Sequence, residues 1–250
     1  MRVFLEIAYN GAPFQGWQVQ PNGPSVQQKI EDALSLVYRE KVSIVGAGRT
    51  DTGVNALSTM AHTDLPSDRV ELHRLQHSLN GILRGDIYIK NILPVLPKAH
   101  ARFDATWRTY NYFIAQQENP FWGKWTLVMN PLPDVKKMNQ AASRLLGEKD
   151  FTSFSKLHTD TKTNICNVIE AQWTPIYDGS ILKFQITANR FLRNMVRAVV
   201  GTLVEVGIGK RSPESITQVL EQLNRSAAGP SVPGEPLFLA KVSYPDHIFL

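Results

Sequence analysis

One glycine-rich segment carries the residue types most suited to chemistry. It is Gly46-Ala47-Gly48-Arg49-Thr50-Asp51-Thr52-Gly53-Val54. Glycines leave the backbone bare, so a bulky substrate can approach closely, and a carboxylate held there can act as a nucleophile or a base. Arg49 would keep the carboxylate of Asp51 ionised. A tight turn in which Asp51 accepts backbone N–H groups explains the same residues equally well.

Two other interpretations of this segment fit less well. Asp51-Thr52-Gly53 is the active tripeptide of aspartic proteases, but those enzymes need two such aspartates that share a proton. This chain has one copy, and the Arg49 cation before it would disturb proton sharing. The segment also lacks the third glycine of a dinucleotide-binding loop and the Gly-Lys-Ser/Thr of a phosphate-binding loop.

Metal and redox chemistry find little support in the sequence. His73 and His77 have the spacing of two metal ligands on a helix, but Arg74 follows His73 where a zinc-protease motif has glutamate. We expect a solvated pair, because the leucines around them define the buried face of that helix. Cys166 is the single cysteine, and we expect it to be a small buried side chain.

A run of arginines opens a helix that the apolar spacing predicts at residues 191–206. At about 100° per residue, Arg190, Arg193 and Arg197 share one face, opposite an apolar face. Gly201 lies on the same face as the arginines. A solvated charged face would explain the pattern. The cations fall near the N-terminus of the helix, however, where its dipole disfavours positive charge, so an anionic partner would make them favourable.

A strand predicted at residues 106–115 is rich in aromatic side chains. Alternation places Arg108, Tyr110 and Tyr112 on one face. A guanidinium beside two tyrosines suits stacking on an unpaired base. Aromatic side chains on a strand face are also typical of a protein core, so both interpretations stay open.

The apolar periodicity predicts a scaffold with two similar halves, each in the order β-α-β-β-α-β, with one added helix in the second. This order is typical of an α+β protein with two ferredoxin-like halves. We expect residues 1–103 to carry the Asp51 loop and residues 104–250 to carry Tyr110 and the arginine helix. The antiparallel sheets would join into one large sheet, with helices on one face and a ligand cleft on the other.

The predicted elements have definite positions. Strands are expected at residues 2–9, 42–45, 57–65, 87–93, 106–115, 165–173, 181–188 and 237–244. Helices are expected at residues 26–37, 72–79, 135–146, 191–206 and 213–223. Ser25-x-x-Gln28 has the form of a capping box at the start of the first helix.

The composition is that of an ordinary globular protein. The chain has 250 residues, of which 43% are hydrophobic and 20% charged, which excludes a disordered or fibrous chain. The net charge of +5 at pH 7 permits an anionic partner such as RNA without requiring one. Because Glu6 precedes any apolar signal-peptide core, we expect a soluble, cytoplasmic protein.

Taken together, these segments resemble the TruA family of tRNA pseudouridine synthases over nearly the whole chain. The resemblance rests on blocks that occur in the same order. They are Tyr9-Asn10-Gly11, Gly16-Trp17-Gln18, Ser25-Val26-Gln27, Gly48-Arg49-Thr50-Asp51-Thr52-Gly53-Val54, Ala101-Arg102-Phe103, Arg108-Thr109-Tyr110-Asn111-Tyr112, Gly147-x-x-Asp150-Phe151-Thr152-Ser153-Phe154 and Phe191-Leu192-Arg193-Asn194-Met195-Val196-Arg197.

The resemblance implies a homodimer that isomerises uridine to pseudouridine in the anticodon stem-loop of tRNA, at tRNA positions 38–40. It implies neither a cofactor nor a metal. By residue matching, Asp51 would be the catalytic aspartate and Tyr110 would stack on the target uracil. Arg49 would help to open and hold the site, and Arg197 would pair with the aspartate.

Two positions depart from the common pattern of the family. Asn55 stands where histidine is usual, and Thr59 stands where glutamine is frequent. Both follow the Asp51 loop, so they affect the expected RNA contacts more than the chemistry. The alternative function is a non-catalytic RNA-binding protein with RRM-like halves. Asp51 argues against it, because an anion on an RNA-facing loop repels phosphate.

Overall fold

The computed structural model of the chain describes residues 1–21, 23–66, 71–156 and 163–250. These residues divide into two compact units, one of Met1–Thr106 with Leu239–Leu250 and one of Trp107–Phe238. Helices alternate with mainly antiparallel strands in both units. The predicted α+β class is therefore confirmed, whereas the ferredoxin-like classification of each half stays a prediction.

In the first unit, strand β1 (Arg2–Tyr9) lies between two antiparallel neighbours. The elements of this unit are β1, α1 (Val26–Tyr38), β2 (Val45–Gly46), β3 (Asn55–Asp64), α2 (Leu72–Ile82) and β4 (Ile87–Pro94), together with most of β10 (Leu237–Ser243), which comes late in the chain. β1 pairs antiparallel with β3 on one side and with β4 on the other. β2 pairs antiparallel with β3, and β10 also neighbours β3. The predicted order β-α-β-β-α-β is confirmed for this unit.

The start of α1 shows how the sequence sets a helix boundary. The Ser25 hydroxyl accepts a hydrogen bond from the Gln28 backbone N–H at 3.2 Å, which confirms the predicted N-cap. The Gln28 side chain does not complete a capping box, because its amide donates instead to Asp32 Oδ1 at 2.7 Å. Ile30 and Leu34 are fully buried one turn apart, so the apolar stripe of α1 faces the core.

The end of the chain belongs with the first unit. The Tyr244 hydroxyl donates to the Ala101 carbonyl at 2.5 Å, and the Leu250 N–H donates to the Pro94 carbonyl at 3.1 Å. The sequence-based boundary between residues 103 and 104 assigned this segment to the second half. The observed contacts group Leu239–Leu250 with the first unit instead, because β10 lies beside β3.

The second unit holds the remaining strands and helices. Its elements are β5 (Trp107–Ala115), β6 (Leu127–Val128), α3 (Val135–Ala142), β7 (Gly147–Asp150), β8 (Ile165–Ile176), β9 (Ile181–Ala188), α4 (Met195–Gly207) and α5 (Ser215–Glu221). The strand order is β5-β9-β8-β7, and β6 pairs in parallel with β5. The turn between β8 and β9 has Tyr177, Asp178 and Gly179 all at positive φ.

The helix before β7 is shorter than its apolar spacing indicates. α3 ends at Ala142, and a 3₁₀ turn at Ser143–Leu145 follows it. Gly147 adopts φ +90° and opens β7, which pairs antiparallel with β8. The sequence analysis missed β7, because its residues Gly-Glu-Lys-Asp have no strand pattern of their own.

The arginine helix predicted at residues 191–206 begins later than expected. Asn194 adopts a left-handed conformation with φ +66°, and α4 starts at Met195. Arg190 and Arg193 therefore precede the helix, and the predicted common face with Arg197 is wrong. Gly201 is no part of a charged face either: it is buried, and a Cβ there would lie 1.8 Å from the carbonyl oxygen of Pro230.

The described residues offer no obvious metal centre and no membrane-spanning helix. They contain no group of three or more His, Cys, Asp or Glu side chains placed to hold a metal ion. His73 and His77 are exposed on α2, which confirms the solvated pair. Cys166 is fully buried, as expected, and burial raises the pKa of its thiol to about 11. No helix within the described ranges is long and apolar enough to cross a bilayer.

A buried histidine should make the stability of the first unit depend on pH. His62 is 6% exposed, and its Nδ1 accepts the Ala101 N–H at 3.1 Å. Burial, with the nearby His100 and Arg2, lowers the pKa of His62 from 6.5 to about 4. Between pH 6.5 and pH 4 the imidazole of His62 is protonated in the unfolded chain but neutral in the folded chain. The contribution of His62 to the free energy of unfolding is therefore largest above pH 6.5 and decreases as the pH falls towards 4.

We expect the free energy of unfolding to decrease by about 2 kcal/mol between pH 7.5 and pH 5. The control is His62→Asn, which keeps an acceptor near the Nδ1 position but does not titrate. Urea unfolding at pH 7.5, 6 and 5 measures the effect in a range above the titration of ordinary carboxyl groups. An equally steep pH dependence in the variant would show that His62 is not the cause.

Candidate active site

The loop between β2 and β3 presents Asp51 in the first unit. The Trp17 N–H donates to the Thr50 carbonyl at 3.2 Å, and the Tyr9 hydroxyl lies 2.7 Å from Thr50 Oγ1. The Val54 N–H donates to the Asp51 carbonyl at 3.2 Å and closes a turn. Hydrogen bonds on both sides of the aspartate therefore fix its backbone, which is the pre-organisation that a reacting group needs.

Two glycines from the β1–α1 connection pack directly against this loop. A Cβ at Gly11 would lie 2.1 Å from the carbonyl oxygen of Val54, and a Cβ at Gly16 would lie 2.5 Å from that of Thr50. Gly16 also adopts φ +93°, a conformation that other residues rarely take. The absence of side chains at these positions lets the two segments touch through their backbones. The loop that carries Asp51 thus depends on glycines about 40 residues earlier in the chain.

Asn55 stabilises the contact between Gly11 and the Asp51 loop. Its side chain is 1% exposed, and its Oδ1 accepts the Gly11 N–H at 2.8 Å. Thr59, the second position that departs from the family pattern, is also buried, at 2% exposed. Both departures are therefore accommodated in the interior of the first unit, and Asn55 helps to hold the β1–α1 connection against the Asp51 loop.

The outer side of the loop is open. Asp51 is half-buried, whereas Gly48 and Arg49 are exposed. A Cβ at Gly48 would meet no atom within 4 Å. A half-buried carboxylate beside an exposed guanidinium and a bare stretch of backbone leaves room for a large anionic substrate to approach.

The glycine packing predicts a specific weakness. Gly11→Ala should lower the free energy of unfolding by about 1–3 kcal/mol, because the new methyl group collides with backbone atoms that cannot rotate away. Activity should fall as well, since the collision displaces the Asp51 loop. Gly81→Ala is the matched control, because a Cβ at that position of α2 meets no atom within 4 Å and alanine favours a helix. Unfolding in urea and turnover measure both effects, and equal stability of the two variants would contradict the packing argument.

In the second unit, Tyr110 lies on β5 and is half-buried. Its ring meets that of Phe191 edge to face, with centroids 5.1 Å apart and an interplanar angle of 87°. Tyr112, which alternation places on the same face, is fully buried and belongs to the core. Arg108 donates to the Asn189 carbonyl at 2.7 Å. Of the two interpretations, burial in the core therefore holds for Tyr112, whereas Tyr110 retains an accessible surface.

Arg197 in the first turn of α4 is fixed by a neighbouring loop. Its Nε donates to the Val232 carbonyl at 2.7 Å, and the Val232 N–H donates back to the Arg197 carbonyl at 3.2 Å. Burial raises the pKa of Tyr112 far above its usual range, an effect that Arg197 opposes and Glu235 strengthens. The sequence analysis did not single out Glu235, because it lies in a loop without a motif.

The predicted site residues fall into two groups. Arg49 and Asp51 share one loop of the first unit. Tyr110 and Arg197 belong to the second unit, on a strand face and in the first turn of α4.

Comparisons with known proteins agree on one family. The family model described as tRNA pseudouridine synthase matches residues 141–245. A tRNA pseudouridine synthase A of Porphyromonas gingivalis is 50% identical over 250 residues, which are 100% of this chain and 99% of that protein. The Bacteroides fragilis protein of the same name is 48% identical and covers 99% of this chain and 98% of its own length. The Bacillus subtilis protein of that name is 37% identical and covers 98% and 99%.

Identity of this extent over the full length of both chains defines the class of protein, a pseudouridine synthase. More particularly, the chain belongs to the tRNA pseudouridine synthase A family.

Proposed function

We propose that this chain isomerises uridine to pseudouridine in tRNA and that Asp51 is the group that reacts. Family membership supports the reaction. The observation that carries the residue assignment is the Asp51 loop itself, whose backbone is held by hydrogen bonds and by two tightly packed glycines, with an open side towards solvent.

The chemistry needs little beyond such a carboxylate. The N-glycosidic bond between uracil N1 and C1′ breaks, the uracil turns, and C5 joins C1′. N1 gains a proton and C5 loses one, so nothing is oxidised and no group is transferred. An ionised Asp51 can serve as a nucleophile at C1′, as a nucleophile towards the base, or as a base at the 2′ position. All three routes require the target uridine to leave its stack, which costs a few kcal/mol.

The remaining site residues would offset that cost. Tyr110 offers a ring on which the extruded uracil can stack, and its hydroxyl is the group we assign to removal of the C5 proton. Arg49, exposed on the Asp51 loop, would fill the gap left in the RNA and contact phosphate. Arg197 would pair with the aspartate, a role that stays a prediction.

We place the modified uridines in the anticodon stem-loop, at tRNA positions 38–40. The test is to incubate the purified protein with a tRNA transcript and to locate pseudouridine by chemical mapping. A transcript with cytidine at those three positions is the control. Pseudouridine in the first transcript alone supports the assignment, whereas modification outside the anticodon arm would move the target elsewhere.

We further propose that the active unit is a homodimer acting in the cytoplasm, where its tRNA substrate is found. A net charge of +5 is small for a protein that binds a folded tRNA. Two copies of the chain double the net charge and lengthen the basic surface. Two-fold association is also the commonest oligomeric state of soluble chains.

The dimer should be visible in a dilution series. Light scattering is expected to give twice the 28.1 kDa mass of the chain, and specific activity should fall as the dimer dissociates. A monomer that keeps full activity at every concentration would exclude the dimer as the active unit.

A further inference from the structure

A short loop between β4 and β5 presents an exposed aromatic ring that the proposed reaction does not use. Phe103 is 74% exposed. Its ring centroid lies 4.2 Å from that of His100, and the Arg102 guanidinium carbon lies 5.8 Å from it. Together these three side chains form what we call the Phe103 platform, an aromatic surface with a guanidinium over the Phe103 ring.

The backbone of this loop is fixed by its own hydrogen bonds. His100 Nδ1 accepts the N–H groups of Arg102 at 3.1 Å and of Phe103 at 3.3 Å. The Asp104 carboxylate accepts the His100 N–H at 2.7 Å, and the Asp104 N–H donates back to the His100 carbonyl at 3.1 Å. The exposure of Phe103 is therefore set by an ordered turn and does not result from a fraying loop.

The base of the loop is equally well anchored. Ala101 is fully buried, and its N–H and carbonyl bond to His62 Nδ1 and to the Tyr244 hydroxyl. Arg2 Nη1 donates to the Ala99 carbonyl at 3.2 Å. With its anchors in β1, in β3 and in the C-terminal segment, the loop can hold the Phe103 ring against a ligand without further loss of backbone entropy.

The chemistry of the platform fits an unpaired nucleobase. A rigid aromatic face stacks on any base, and a guanidinium beside it can reach the neighbouring phosphate. A protein partner is a poorer match, because interface anchors sit within larger apolar patches, whereas exposed Arg102 and half-buried His100 flank this ring.

We propose that the Phe103 platform binds an unpaired base of the tRNA substrate, with Arg102 on an adjacent phosphate, in addition to the contacts made at the Asp51 loop. The proposal rests on the proposed function in that the ligand is tRNA. Phe103 is then a positioning residue: it holds the RNA, does not touch the reacting atoms, and contributes to KM and Kd.

Three variants and one control test this assignment. Phe103→Ala should raise the Kd for tRNA and the KM about tenfold, with kcat unchanged. Phe103→Trp should restore both constants, because indole stacks at least as well. Arg102→Ala should weaken tRNA binding and reduce the salt dependence of log Kd by about one unit of slope. The control is Phe121→Ala, since Phe121 is 77% exposed and lies outside the platform, so tRNA binding should not change.

The Kd is measured by fluorescence anisotropy of labelled tRNA, without turnover, so this test is independent of the proposed reaction. If the wild-type protein binds tRNA but forms no pseudouridine, the proposed function is contradicted. The Kd values of the variants still show whether the Phe103 platform binds tRNA. An unchanged Kd in Phe103→Ala overturns the platform. So does an altered mass in light scattering, because the ring would then pack against a second copy of the chain.

Discussion

Asp51→Asn should abolish pseudouridine formation while leaving the fold and tRNA binding intact. The substitution keeps the shape of the side chain and the Asp51 carbonyl that accepts the Val54 N–H, but it removes the negative charge. Whichever of the three routes the carboxylate follows, a neutral amide is a poor nucleophile and a poor base. We expect the single-turnover rate to fall by roughly 10³-fold or more, with Kd for tRNA unchanged or slightly tighter because an anion has been removed.

The matched control is Asp178→Asn, which removes a carboxylate from the exposed β8–β9 turn of the second unit. Asparagine tolerates the positive φ of that position, so stability and turnover should match the wild type. Rapid-quench measurement of pseudouridine, with urea unfolding and tRNA anisotropy alongside, separates chemistry from folding and binding. Turnover by Asp51→Asn within tenfold of the wild type would remove Asp51 from the chemical step.

Tyr110→Phe should be the second most damaging conservative change. The ring of Tyr110 is held edge to face by Phe191 at 5.1 Å, a contact that does not involve the hydroxyl, so the substituted ring should keep its place. Stacking and tRNA affinity would then persist, but the group assigned to remove the C5 proton would be lost. We expect the single-turnover rate to fall by about 10²-fold, with Kd nearly unchanged.

Tyr112→Phe is a control on the same strand. The Tyr112 hydroxyl is buried and has no hydrogen-bond partner among the described residues, so its removal should leave stability equal or slightly higher. Tyr110→Leu, which also removes the ring, should weaken tRNA binding in addition. If Tyr110→Phe and Tyr112→Phe turned over at the wild-type rate, the C5 proton would have to leave by another group.

Much of the fold follows from local patterns. β1, α1 and β9 have clear alternation or apolar stripes, and their observed ranges match the predicted ones closely. The late start of α4 was not predictable from spacing. Leu192 and Val196 keep the helical apolar spacing on either side of Asn194, but the backbone of Asn194 is left-handed and the helix begins after it. The place of β10 was also hidden, since pairing across more than 170 residues leaves no local signal.

The candidate site could be predicted only in part from the sequence. Asp51 stood out because glycines and an arginine surround it within a few residues. The supporting contacts of Gly11 and Gly16 did not, because a backbone-to-backbone approach between distant segments appears only in three dimensions. For Tyr112 the sequence left a stacking and a core interpretation open, because strand alternation gives the face of a residue but not the depth of its burial.

The most direct test of the account is the release of tritium from uridine C5 in labelled tRNA. Isomerisation must exchange that hydrogen, since C5 becomes the carbon bonded to the sugar. We predict that the purified wild-type protein, without added metal or cofactor, releases one tritium for each pseudouridine formed, and that Asp51→Asn releases none above background. No release by the wild-type protein, or equal release by both proteins, would contradict the account.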